Sequence, residues 1–410
     1  MRRAYLPEAV ALRPADRARP LTLADDDAGG LRAPVSGNGR GALWPGVARL
    51  EGNVSPAGFA QPHPGPVPGG WQHAPGAGRA NGRAVGLPGG SERAGRRVAA
   101  ARFDNPVAGG GYAWWYLDAL SDDGEHALTI IAFIGSVFSP YYAWARQRDP
   151  AADPLQHCAL NVALYGRSGH RWTMTERSRE RVSRSADALC IGPSTLVWEG
   201  DALVLRIDEV TAPWPSRIRG VVRLHPAAPV GCEYLLDAAG RHRWSPIAPC
   251  ARVEVQLSQP ALCWRGTGYL DSNAGDRPLE ADFKRWDWSR ASLPGSRSAV
   301  LYDLARRGGD ALSLAMQFDA QGRVYHFAPP PAAALSASAW RVARGTRSDA
   351  GSTPRTLQRL EDGPFYARSV ISAQWLGEPV TAMHESLSLS RFDSSWVRLM
   401  LPFRMPRRAG

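Results

Sequence analysis

From about residue 101 onward the chain is a succession of short, apolar-alternating runs separated by tight-turn signals, a pattern that limits it to an antiparallel β fold. The runs include "YAWWYLDAL", "HALTIIAFIG", "HCALNVALYG", "STLVWEGDALVLRIDEVT" and "IRGVVRLHP". The style resumes after residue 240 in "ARVEVQLSQP", "SAVLYDLARRGGDALSLAMQFDAQGRVYHF" and "SVISAQWLGEPVTAMHESLSLSRF". "SDDGEH", "YGRSGHR" and "WEGDA" carry the Gly and Asp chemistry of hairpin turns. Little of this stretch reads as an amphipathic helix, and "PPPAAALSASAWRVARG" is ambiguous, apolar but interrupted by proline. Many short strands at near-regular spacing form barrels or sandwiches. The stretch is long for one barrel, so two β domains in tandem are expected, 99–255 and 256–410, with the break between 240 and 265.

Residues 1–98 have a different composition, rich in Gly, Pro, Ala and Arg and without sustained hydrophobic periodicity. Such a segment cannot bury enough apolar surface to offset its ordering entropy, so a disordered tail is expected. Trp44, Phe59 and Trp71 are its candidates for packing on the folded body.

The net charge of +11, from 49 basic and 38 acidic residues, favours anionic surfaces, either nucleic acid or membrane headgroups. The arginines are dispersed and no nucleic-acid module accompanies them, so no nucleic-acid partner is expected. Cys158, Cys190, Cys232, Cys250 and Cys263 are widely spaced without a C-x-x-C pair, which implies free thiols in a reducing compartment and argues against a zinc site. The N-terminus lacks the apolar core of a signal peptide, and "ALTIIAFIGSVF" at 127–138 is too short to span a bilayer and fits a buried strand. A cytoplasmic protein is expected.

Three segments concentrate chemistry. In "GYLDSNAG" Tyr269 and Asp271 are two apart on a strand running into a turn, hence on one face. The surrounding 263–290 is dense in aromatic residues, among them Trp264, Trp286 and Trp288. In "RHRWSP" His242 and Trp244 likewise share a face. In "FDNPVAGGGYAWWYLDAL" Tyr112, Trp114 and Tyr116 face one way and Trp115 the other, after a glycine run that reads as a flexible turn. Each has an ordinary explanation as well: aromatic strands pack cores, Asp271-Ser272-Asn273 caps a turn, and His242 between two arginines sits on a solvated basic face. His384 and Glu385 in "TAMHESLSLSRF" are candidates to enter the same pocket from the second domain, a reading ranked below that of ordinary strand positions. Walker, H-E-x-x-H and G-x-S-x-G motifs are absent, and the histidines lack metal-ligand spacing. What remains is an acid among aromatic rings, a partly desolvated carboxyl suited to protonating an electron-rich alkene, with π faces to stabilise the resulting cation.

At these residues the sequence resembles the acyclic carotenoid 1,2-hydratase family, also called hydroxyneurosporene synthase. The blocks are "FDNPVAGGGYAWWYLDALSDDG", "RHRWSPIAP" and "GTGYLDSNAGDRPLEADFKRWDWSR", and the likeness runs from about 101 to the C-terminus. The resemblance implies two tandem lipocalin-like antiparallel β-barrel or sandwich domains and water addition to the terminal C1=C2 bond of acyclic carotenoids such as neurosporene and lycopene. It implies Asp271 as the proton donor, Trp244 and Tyr269 as stabilisers of the tertiary cation, and His242 as the group that orients or deprotonates water. No metal or organic cofactor is implied. A polyene substrate implies peripheral association with the inner or photosynthetic membrane, toward which Arg404, Arg407 and Arg408 contribute charge. Two rival readings stand beside it, a hydrophobic-ligand carrier without chemistry and a pericyclase-type enzyme on a natural product. The preferred carotene and the oligomeric state are not legible in the sequence.

Overall fold

Period-two alternation sends every second side chain of a strand to the same face, and here it builds separate cores on the two sides of one large sheet. The structure, a computed structural model, describes residues 98–408 apart from 167–169 and 310. The expected disordered tail and its aromatic residues therefore lie outside the described residues. All five thiols are free.

The first sheet begins with β1 (Tyr112–Ser121), β2 (His126–Ile134), β3 (Cys158–Gly166) and β4 (Arg171–Arg177). It continues through β5 (Val182–Arg184), β6 (Ala188–Ile191), β7 (Ser194–Glu199), β8 (Ala202–Val210) and β9 (Arg217–Pro226). Short β10 (Tyr234–Leu235), then β11 (His242–Gln259) and β12 (Ala261–Gly275), complete its main body. Its order is β4-β3-β2-β1-β12-β11-β9-β8-β7-β6-β5, with β10 added on β11. The second sheet uses β13 (Phe283–Leu293), β14 (Arg297–Arg306), β15 (Ala311–Phe318) and β16 (Val324–His326). A separate pair follows, β17 (Ala332–Leu335) with β18 (Arg344–Arg347). Strands β19 (Arg355–Asp362), β20 (Tyr366–Trp375) and β21 (Glu378–Ser388) then join the second sheet in the order β16-β15-β14-β13-β21-β20-β19. The terminal β22 (Arg407–Arg408) pairs in parallel with β4 on the first sheet.

The all-β antiparallel class expected from the sequence is the class that forms, and the apolar run 127–138 supplies buried β2. The chain passes from the first sheet to the second between Gly275 and Phe283. The ambiguous proline-rich segment forms β17. The longest of the helices that escaped the pattern reading is Pro140–Arg148, although Ser139 accepts a hydrogen bond from the Tyr142 N–H and Pro140 opens its first turn. Its apolar residues make no one-sided stripe, so periodicity alone does not reveal it.

Tyr112, Trp114 and Tyr116 of β1 enter a core shared with Trp286 and Trp288 of β13, whereas Trp115 and Leu117 enter the core on the sheet's opposite face. The glycine run before β1 is a closely packed turn rather than a loose one. A Cβ at Gly109 would lie 2.5 Å from the Ala151 carbonyl oxygen, and Gly110 holds φ at 73°. Close backbone approach, as well as conformational freedom, demands glycine there.

Candidate active site

Central strands β1, β12 and β11 lie side by side, and their register decides which side chains meet. Tyr116 pairs with Asp271 across β1 and β12, while Trp244 pairs with Asn273 and Pro246 with Asp271 across β11 and β12. Tyr269, Asp271 and Asn273 alternate onto the face that carries Trp114 and Tyr116. The strand β12 runs on to Gly275, so Asp271-Ser272-Asn273 is strand and not a capped turn.

Asp271 is 4% exposed. Its Oδ2 accepts hydrogen bonds from Trp244 Nε1 at 2.7 Å and from the Tyr269 hydroxyl at 2.8 Å. Burial pushes its pKa up to about 8; the two donors pull it down, and the charges of Glu385 and Asp118 add to the rise. Neutral donors stabilise a carboxylate less than a cation does, so desolvation prevails and the acid form dominates at neutral pH. Both donors meet Oδ2, which leaves Oδ1 to carry the proton. The polar ends of Trp244 and Tyr269 thus serve the carboxyl.

Asp271 opens on a small chamber of about 40 Å³ whose walls include Asn273 from β12, Trp286 and Trp288 from β13, Tyr302 from β14 and Glu385 from β21. Edge-to-face contacts fix the rings: Trp288 lies 5.3 Å from Tyr116 and 5.2 Å from Tyr269, centroid to centroid. The chamber shares Trp114, Tyr116, Trp286 and Glu385 with a larger, mainly apolar cleft of about 120 Å³. That cleft continues along Phe133, Phe138, Trp172 and Met174 to Leu401 and Met405 near the C-terminus.

His242 sits on the same face of β11 but is not among the residues lining the chamber. It is fully buried rather than on a solvated basic face, and both ring nitrogens are engaged. Nδ1 is 2.9 Å from the Tyr112 hydroxyl and Nε2 is 3.0 Å from Asp282 Oδ2. A Cβ at Gly275 would lie 2.7 Å from the Tyr112 ring and 2.9 Å from His242 Nδ1, so glycine is required for this pair to close. The four residues singled out in the sequence therefore divide into a bonded trio, Trp244–Tyr269–Asp271, and a neighbouring His242 with its own partners.

Strands remote in the chain complete the site with Glu385, a lower-ranked candidate of the sequence, and with Arg368 and Arg290, which the sequence reading missed. Glu385 lines the chamber, whereas His384, its neighbour, turns to the other face, where Ser289 Oγ lies 2.8 Å from its Nδ1 and burial lowers its pKa to about 3. Glu385 Oε1 lies 2.6 Å from the Tyr116 hydroxyl and is ion-paired with buried Arg368. The Tyr116 hydroxyl is also 3.0 Å from Asp118 Oδ2, and Arg290 Nε donates to Asp118 Oδ1 at 2.6 Å. Alternation alone separates Glu385 from His384; only the pairing of Trp288 with Glu385 across β13 and β21 brings it to the site.

Beyond the cleft, Leu399 and Phe403 are 71% and 69% exposed, with Trp396 and Met400 also exposed. Arg404 lines the cleft and lays its guanidinium 4.5 Å from the Trp172 ring centroid. Among the described residues no helix is long and apolar enough to cross a membrane.

The sequence matches the model of the family "Carotenoid hydratase CrtC" over residues 130–410. It is 54% identical over 385 residues to the acyclic carotenoid 1,2-hydratase of Thiocapsa roseopersicina, covering 94% of each chain. It is 50% identical over 400 residues to that of Rubrivivax gelatinosus, covering 97% of each. The acyclic carotenoid 1,2-hydratase of Cereibacter sphaeroides is 41% identical over 282 residues, which are 99% of that protein and 68% of this chain. By this similarity the chain belongs to the carotenoid hydratase family.

Proposed function

We propose that this protein is an acyclic carotenoid 1,2-hydratase, a hydro-lyase that adds water to the terminal C1=C2 bond of substrates such as lycopene or neurosporene. The observation that carries the mechanism is a buried carboxyl, bonded only by neutral donors, in a chamber that shares four wall residues with an aromatic-lined cleft. Asp271 Oδ1–H delivers its proton to C2, and a tertiary cation forms at C1. As negative charge develops on Asp271, the hydrogen bonds from Trp244 and Tyr269 strengthen, from about 1 kcal/mol to about 1.5–3 kcal/mol each for a charged acceptor. They act as preorganised donors aimed at the charge that forms. The rings of Trp286, Trp288 and Tyr302 offer the cation their faces, an interaction of about 2 kcal/mol when desolvated. His242, held at both nitrogens, positions β11 and hence Trp244.

The proposal extends to peripheral association with an anionic membrane, from which a polyene enters the cleft. Exposed Leu399 and Phe403, next to Arg404 and the cleft residues Leu401 and Met405, support this. Apolar insertion and roughly 1 kcal/mol per basic residue near an anionic surface would act together. Phe403→Glu with Leu399→Glu should weaken co-sedimentation with phosphatidylglycerol vesicles.

The test of the reaction uses purified protein, lycopene in liposomes and heavy water without added cofactor. A 1-hydroxy product carrying deuterium at C2, absent with Asp271→Asn, is the expected result. Lycopene that co-purifies unchanged would favour a carrier instead. Removing residues 1–98 should leave the rate within about twofold.

A further inference from the structure

Two carboxyl groups face one chamber. Asp271 enters from β12 and Glu385 from β21, on opposite sheets, with the indole of Trp288 and the ring of Tyr302 in the walls around them. Their partners differ in kind. Asp271 Oδ2 is held by an indole N–H and a phenol O–H. Glu385 Oε1 is held by the Arg368 guanidinium and the Tyr116 hydroxyl, and among the described residues no donor bonds its Oε2. Glu385 thus has a cation beside it, whereas Asp271 has only neutral donors. Asn273 also lines the chamber, and its Nδ2 is buried without a hydrogen-bond partner. Glu385 and Asn273 thus bring an acceptor and a donor to the same chamber, and a water molecule needs two or more such polar partners.

We propose that Glu385 is the general base of the reaction, taking a proton from the water that captures the cation formed by Asp271, with Asn273 donating to that water's oxygen. This rests on the hydratase reading above. The cycle balances. Asp271 gives H⁺ to C2 and becomes a carboxylate; the water oxygen forms its bond to C1 as its proton passes to Glu385. That proton then returns to Asp271 through the product hydroxyl or a chamber water, so acid and base are restored and the net change is one water added. The assignment gives the base role to a residue lining the chamber with an unbonded carboxyl oxygen, whereas both nitrogens of His242 are already engaged.

Azide distinguishes this role from a structural one, because an anionic nucleophile needs no base and would be drawn to the space beside Arg368. Glu385→Ala should lose about 10²-fold in hydration, the general-base range, and in sodium azide it should form the C1 azido adduct. Asp271→Asn should form neither product. Hydration by Glu385→Ala within threefold of wild type would overturn the assignment. So would a folded variant, by circular dichroism, that makes neither alcohol nor azide adduct, since protonation itself would then depend on Glu385. If Glu385→Ala does not fold, the alcohol and azide yields of Glu385→Gln decide by the same criteria. A wild-type enzyme that hydrates no acyclic carotenoid would instead retire the hydratase reading.

Discussion

Asp271 and Asp287 are both aspartates buried in strands, yet they stand in opposite chemical situations. Asp271 is held by the indole of Trp244 and the hydroxyl of Tyr269, and its pKa is pushed up to about 8 by burial. Asp287 faces away from the aromatic chamber, with the Arg285 guanidinium 3.0 Å from Oδ2, the Ser386 hydroxyl on Oδ1 and the Gly345 N–H 3.1 Å from Oδ1. Burial raises its pKa as well, but only to about 6, because Arg285 and these donors oppose it. At pH 7 roughly nine in ten Asp271 side chains carry a proton and roughly nine in ten Asp287 side chains do not. Equal burial thus yields an acid or a carboxylate according to whether a cation stands beside it.

The strongest way to break this contrast is Asp271→Asn, which should lower hydration by at least about 10³-fold in a lycopene assay while the fold persists. The amide oxygen still accepts from Trp244 and Tyr269, so the site keeps its shape. The same variant bears on stability. A buried aspartate that holds its proton to about pH 8 binds more protons folded than unfolded between roughly pH 4 and 8. Wild-type stability from this group is therefore full below about pH 4 and falls as pH rises toward 8. The melting temperature of Asp271→Asn should gain on wild type across that window, and a difference independent of pH would count against a protonated Asp271.

Smaller in effect, Trp244→Phe and Tyr269→Phe each remove one donor to Oδ2 and should each cost about 10²-fold in kcat. They sharpen the contrast further through pH. Wild-type hydration should fall about tenfold per pH unit above about pH 8, as the acid form is lost. Since both donors lower the Asp271 pKa, either variant should shift that alkaline limb upward; an unmoved limb would separate these donors from the proton donor. Smallest of all, Asp287→Asn should change hydration by less than about threefold and act on the melting temperature instead.

Much of the contrast was readable along the strand and none of it across the sheets. The two-residue spacing of Tyr269 and Asp271, and of His242 and Trp244, correctly placed each pair on one face. The helix Pro140–Arg148 was missed because its signal lies in the Ser139 cap and Pro140 rather than in periodicity. Glu385 was ranked below an ordinary strand position because nothing within "TAMHESLSLSRF" distinguishes a strand glutamate that meets a guanidinium from one that meets water. Glu385 and Asp271 lie more than a hundred residues apart in the chain, and residues so distant leave no local trace of meeting.

By itself the sequence determined the all-β class, the faces of the individual strands, the aromatic character of the site and, through resemblance, the family. These follow from properties each segment carries alone: alternation, turn residues and conspicuous blocks. Tertiary structure decided that Asp271 is dry and bonded only by neutral donors, that His242 is occupied elsewhere, and that Glu385 and Arg368 approach from the second sheet. Those facts set the protonation of Asp271 and the partners of the other groups, and they arise from desolvation and register, which exist only when distant strands are packed together.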